Sequence, residues 1–188
     1  MKKLLTLAMA ILCSASLALA WGGHIAVKAD LQTPCAYVFT PPPGVVMSLY
    51  LVHESHTGAT AVNFSALKPP CFYSAIWLSD TRVFPNTVGN SQTGVIVNYG
   101  SCLQAPTHVL TMNFIVFGPT PPCCHYPVQP DPMNPSGHIQ SVDCASQVWG
   151  AGYIPAIINP TPNCWDGVCV PIPVEDTTWG RVKAMFVE

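Results

Sequence analysis

Charge is scarce in this chain. Asp, Glu, Lys and Arg together supply 9% of its 188 residues, against about a quarter in an ordinary soluble domain. With so few cations there is no basic stripe to displace the counterions of a nucleic acid, which argues against nucleic-acid binding. The same shortage leaves no polybasic surface for an anionic membrane. Beyond residue 20, no stretch approaches the roughly 20 apolar residues of a membrane span. Long amphipathic helices are missing as well.

Signatures of chemistry are equally sparse. There is no G-x-S-x-G elbow for a serine nucleophile and no Cys-x-x-Cys for thiol–disulfide exchange. Nine acids exist, mostly at predicted strand ends and in loops, a poor supply for the paired carboxylates of glycoside hydrolysis. The segment His53-Glu54-Ser55-His56 lacks the spacing of a zinc-protease helix, which needs its histidines four apart. In extended chain, positions three apart face opposite ways. The expectation is therefore no catalytic residue, no metal site, no cofactor and no enzyme. A turn that brought the two histidines together is the one route to a weak copper or zinc site.

Proline and cysteine, by contrast, are plentiful. Residues 1–20 read as a secretory signal: Lys2 and Lys3 in front, an apolar stretch over 4–12, and Ala18-Leu19-Ala20 as the small-x-small cleavage site. Cys13 lies inside that signal, and Leu12 before it is too large for a lipoprotein cut. Removal of the signal leaves 168 residues, with five basic side chains against nine acidic ones and a net charge of −4. Eight cysteines remain: Cys35, Cys71, Cys102, Cys123, Cys124, Cys144, Cys164 and Cys169. An even set in an exported chain points to disulfides. The adjacent Cys123 and Cys124 are too close to bond each other without strain, so they reach in two directions. Cys164 and Cys169 flank an Asp-Gly turn, Asp166-Gly167, which predicts a local bridge. The pairing expected is Cys35–Cys71, Cys102 with Cys123 or Cys124, the other with Cys144, and Cys164–Cys169. Zinc ligation by these thiols is the weaker reading, since exported thiols oxidise.

All 20 prolines follow the signal, and the composition is 49% hydrophobic, too apolar for a disordered chain. Prolines gather at 41–43, 69–70, 119–122 and 127–135, where each removes a backbone donor and ends a strand. Between them the pattern has period two. Strands are expected over 24–29, 45–52, 72–78, 95–99 and 108–117, and more weakly over 138–142, 153–158 and 168–174. In the clearest, Leu110, Met112, Phe114 and Val116 share one face. Residues 59–67 are read as a possible short helical turn. At the end of the chain Thr177 or Thr178 can cap a short helix, with Glu175 and Asp176 at its positive end. Trp179, Val182 and Phe186 would then share a face.

These observations predict an all-β fold: a disulfide-reinforced β-sandwich, jelly-roll or immunoglobulin-like, over 21–176, with a short C-terminal helix over 177–188. A core of that size is reinforced by the bridges rather than replaced by them. The five tryptophans, with Tyr50, Tyr73, Tyr99, Tyr126 and Tyr153, are the candidates for a platform on sugar rings. Among them Trp165 stands out, in the loop between Cys164 and Cys169. The sequon Asn63-Phe64-Ser65 is discounted because the Lys-Lys-Leu-Leu signal looks bacterial.

Gly58-Ala59-Thr60-Ala61-Val62-Asn63-Phe64-Ser65, followed by Gly94-Val95-Ile96-Val97-Asn98-Tyr99-Gly100 and the strand over 109–117, resembles the strand order of cohesin-like β-sandwich modules. The ending Thr178-Trp179-Gly180-Arg181-Val182-Lys183-Ala184 resembles the tails of cysteine-containing secreted proteins of environmental Gram-negative bacteria. Together they cover about a third of the mature chain. The resemblance implies a noncatalytic binding or structural module with a protein or glycan partner, secreted, periplasmic or at the cell surface. It carries over no functional residue.

Overall fold

Period-two alternation becomes strand over most of the residues where it was expected. The computed structural model describes residues 22–33 and 36–164. Twelve strands run through them: β1 His24–Lys28, β2 Tyr37–Val38, β3 Val46–Glu54, β4 Ala59–Phe64, β5 Ala75–Arg82, β6 Asn86–Asn90, β7 Gly94–Leu103, β8 Thr107–Val116, β9 Cys124–Tyr126, β10 Ile139–Asp143, β11 Val148–Ile154 and β12 Ala156–Ile158. Among the described residues the only helix is a 3-10 turn over Pro70–Phe72. No helix among them is long and apolar enough to cross a membrane. The C-terminal helix, Trp165 and the strand over 168–174 lie outside the described residues.

Nine strands form one ladder, in the order β5-β8-β3-β1-β11-β10-β4-β7-β6. It folds into two layers at β11. The first half of β11 pairs antiparallel with β10, and the second half pairs parallel with β1. Ile25, Leu49, Met112 and Phe114 from one layer share a single core with Val62, Phe64, Val95 and Val97 from the other. This is sandwich packing, with the two inner faces interdigitating. A second sheet, β2-β12-β9, contributes Val38, Ile158 and Tyr126 to the same core. Tyr126 stands edge-on to Phe114 at 5.9 Å and to Phe72 at 6.2 Å, and its hydroxyl donates to the Ala66 carbonyl at 2.8 Å.

Several expectations are corrected. Residues 59–67 do not make a helical turn; they begin with β4. Ala59 and Val62 are both buried because the register shifts between Ala59 and Ala61. A bulge thus spaces two inward residues by three and mimics a helical period. The strand expected over 72–78 starts later, at Ala75, after the 3-10 turn. The one expected over 153–158 is two strands, β11 and β12.

The bridges differ from the expected pairing. Cys71 bonds Cys124 rather than Cys35, and Cys102 bonds Cys144. Cys164 bonds Cys123, so the local Cys164–Cys169 bridge is not formed. Cα separations of 5.3–5.7 Å fall in the usual range for bridged cysteines. The neighbours Cys123 and Cys124 do diverge, helped by the positive φ of 60° at Cys123. Cys35 and Cys169 lie outside the described residues.

Candidate functional site

The layer of β6, β7, β4, β10 and the start of β11 turns Val95, Val97, Tyr99, Val62 and Phe64 inward. Alternation therefore turns their neighbours outward. The register aligns these in two rows. One runs Val88, Ile96, Asn63, Gln140, Gly150; the other runs Asn86, Asn98, Ala61, Val142, Val148. No member of either row is charged. Val88, Val148 and Ile96 are 69%, 59% and 47% exposed, a large apolar share for a solvated sheet face. Four amide side chains stand among them. Gln140 Oε1 accepts from Asn134 Nδ2 at 2.6 Å, whereas Asn63 Oδ1 is buried without a hydrogen-bond partner. A face of this kind can bury apolar area and exchange amide hydrogen bonds with no charge to desolvate.

The other layer likewise exposes Val46, Ile76 and Leu78, at 55%, 56% and 48%, but its outer face carries charge. Ser48 Oγ donates to Asn113 Oδ1 at 2.9 Å, and Asn113 Nδ2 donates to Thr81 Oγ1 at 3.0 Å, so its polar groups satisfy one another. Glu54 pairs with Lys28 and lies 3.2 Å from His24 Nε2. Hydrogen bonding from His24, aided by Lys28, holds the Glu54 carboxyl below its ordinary range. Lys28 and Glu54 border a cavity of about 140 Å³, also lined by Leu31, Val52, Pro106 and His108. Burial lowers the pKa of His108, and its Nε2 is placed against Leu110 O and Thr111 Oγ1. Lys28 and Glu54 are already committed to each other, and the His108 imidazole is engaged at Nε2.

The histidine pair in the sequence does come together. Ser55 takes a φ of 57°, a left-handed turn that defeats the opposite-face expectation. The rings of His53 and His56 then stack with centroids 4.1 Å apart, while Glu54 stays on the other side with Lys28. His53 is fully buried. Its Nε2–H donates to the Gly22 carbonyl at 2.6 Å, which leaves Nδ1 to accept from the Tyr99 hydroxyl at 2.9 Å. Burial pushes the His53 pKa down to about 4. Both of its nitrogens are occupied. Among the described residues no group of three or more His, Cys, Asp or Glu is placed to hold a metal ion.

The aromatic candidates do not assemble into one platform. Trp77 Nε1–H donates to Asp80 at 3.0 Å and Trp149 Nε1–H to Asp143 at 2.8 Å, on strands of different layers. Tyr99 and Tyr126 are buried, Tyr50 packs edge-on to His108 at 5.6 Å, and Tyr73 and Tyr153 are exposed singly. Sequence reasoning named none of the ten residues of the uncharged face as a binding residue; Asn63 entered through its discounted sequon. The alternation of Ile96 and Asn98 with Val95, Val97 and Tyr99 was the available signal.

No protein-family model matches the chain, and no curated protein sequence does. Solved structures do resemble it. A non-cellulosomal cohesin from the hyperthermophilic archaeon Archaeoglobus fulgidus is similar with a TM-score of 0.50 at 11% identity, over 74% of this chain and 91% of that one. A cohesin module from a Clostridium perfringens family 33 glycoside hydrolase is similar with a TM-score of 0.48 at 8% identity, over 76% and 100%. The sixth cohesin of Acetivibrio cellulolyticus scaffoldin B, solved in complex with a Cel5 dockerin, has a TM-score of 0.46 at 11% identity, over 73% and 98%. Likeness at such identities speaks for architecture alone: the chain folds as a cohesin-like β-sandwich.

Proposed function

We propose that this protein is an exported, noncatalytic binding module that takes a protein partner on the uncharged face of β6, β7, β4, β10 and β11. One observation carries the reading. Ten adjoining outward positions over five strands hold no charge, in a layer whose inner face already fills the core. The centres of protein interfaces are depleted in charge in the same way. Cohesin-like architecture agrees with binding rather than catalysis. The signal-like front of the chain and the three disulfides among the described residues support export to an oxidising compartment. A glycan reading has no comparable support among the described residues, whose tryptophans are tied by their indole N–H groups to carboxylates.

The test is the native mass of the tagged protein in the exported fraction of cells that make it. Wild type and Ile76→Asp, on the outer face of the other layer, are expected to run in a larger complex. Val88→Asp/Ile96→Asp is expected to run at the monomer mass with an unchanged melting temperature. Retention of the complex by the double variant would overturn the proposal.

A further inference from the structure

The stacked histidines have a part to play that binding on the opposite face does not use. His53 sits near the end of β3, and His56 in the turn that leads to β4. Gly23, with φ +72°, lies so close that a Cβ there would meet the His56 backbone nitrogen at 3.0 Å and its Cβ at 3.1 Å. The His53 ring reaches past this turn to hold the Gly22 carbonyl. One side chain therefore ties the entry to β1, the end of β3 and, through Tyr99, β7.

That arrangement has no place for an added proton. Both ring nitrogens of His56 are buried with no hydrogen-bond partner, so an imidazolium there would leave its charge uncompensated. A proton on His53 Nδ1 would reverse the Tyr99 hydrogen bond and set a positive charge 4.1 Å from the neighbouring ring. The Gly22 carbonyl favours a proton on His53 and the His53 backbone favours one on His56, but burial outweighs each. The side chains facing the pair offer no further compensation. β7 presents the neutral Tyr99, whose own ionisation burial suppresses. β1 contributes His24, which disfavours a second charge. Beside Gly22, β10 and β11 present Ser141 and Trp149. Glu54, next in sequence to His53, is engaged with Lys28 and His24. Near the following Gly58 lie the Cys102–Cys144 sulfurs and the neutral Gln104.

We propose that the stacked His53–His56 pair is an acid-operated latch, which releases the Gly22–Gly23 segment and the β3–β4 turn from the sandwich when a proton is forced onto either ring. The sign follows from burial. Both histidines have folded pKa values lowered from the ordinary 6.5 by desolvation, so the closed state is favoured above that pH. It is lost as the pH falls from 6.5 toward about 4, the folded value of His53. Each unit of separation shifts the opening equilibrium by about tenfold.

The test is amide hydrogen exchange on the folded protein at pH 7.5 and pH 5, corrected for the intrinsic rate. Protection in β1 and at residues 53–58 is expected to fall at least about tenfold more than protection at Phe114 in the centre of β8. His56→Phe keeps the stacked ring and removes its nitrogens, and should shrink that difference. Equal losses at β1 and β8, or an undiminished difference in His56→Phe, would overturn the proposal. Should that variant fail to fold, the wild-type histidine titration read by NMR decides instead. Native pKa values of both His53 and His56 at or above 6.5 would refute the latch, and values well below it would support it.

Discussion

Removing the Cys102–Cys144 bridge should destabilise this fold first at the start of β4. The bridge joins the end of β7 to the residue after β10, the two neighbours of β4 in the layer. It therefore spans the start of β4, where pairing is poorest. The register of β4 slips against β7 between Ala59 and Ala61 and against β10 between Val142 and Asp143. Gly58, at φ +129°, packs so closely under the bridge that a Cβ would lie 3.2 Å from Cys102 Sγ. The separation of 42 residues corresponds to about 4 kcal/mol of lost loop-closure entropy in the unfolded chain. Both cysteines are exposed, so replacing them with alanine opens no core cavity and the entropic share dominates. Cys102→Ala/Cys144→Ala is expected to lose 2–4 kcal/mol in urea unfolding, with a steeper m-value because the freed chain exposes more surface. The melting temperature should fall by on the order of 10 °C. Amide exchange at Ala59–Ala61 should rise ahead of that in β8. A loss below about 1 kcal/mol, or exchange that rises evenly over the sheet, would refute the staple reasoning.

Other perturbations have equally definite outcomes. Global stability should decline as the pH falls from 6.5 to 4, by about 3 kcal/mol from His53 alone, which urea titrations at successive pH values would read. Flat stability across that window would contradict the assigned burial. Phe114→Ala should cost about 3–5 kcal/mol, since Phe114 is fully buried and its ring lies 5.4 Å from Phe72. Chemical denaturation gives the value. Asp80→Asn should lose about 1–3 kcal/mol, because the carboxylate accepts from Trp77 Nε1–H and from both the backbone N–H and hydroxyl of Ser91, and an amide cannot accept at both oxygen positions. An altered Trp77 emission should accompany the loss.

Local pattern carried most of the fold. Leu110, Met112, Phe114 and Val116 line the core as their alternation foretold, and the proline clusters fall outside the strands. Several features escaped, the short strands β2 and β9 among them. The edge strand β6, Asn-Thr-Val-Gly-Asn, has no apolar alternation to betray it, because only Thr87 turns inward. The bulge in β4 imitated a helix. The disulfide partners depended on which strands become neighbours, a long-range outcome that a turn such as Asp166-Gly167 does not report. The candidate face was illegible for the same reason. Ile96, Val88 and Val148 are separate exposed side chains in the sequence and become one surface only through the β6-β7-β4-β10-β11 order.

Binding on that surface is tested most directly by a photo-crosslinking side chain placed at Ile96, with Ile76 on the opposite layer as the comparison, in cells that export the protein. The uncharged-face reading predicts a discrete adduct of one mass from position 96, lost when Val88→Asp is added, and none from position 76. Adducts from position 76 alone, or none from either position in the folded, exported protein, would contradict it.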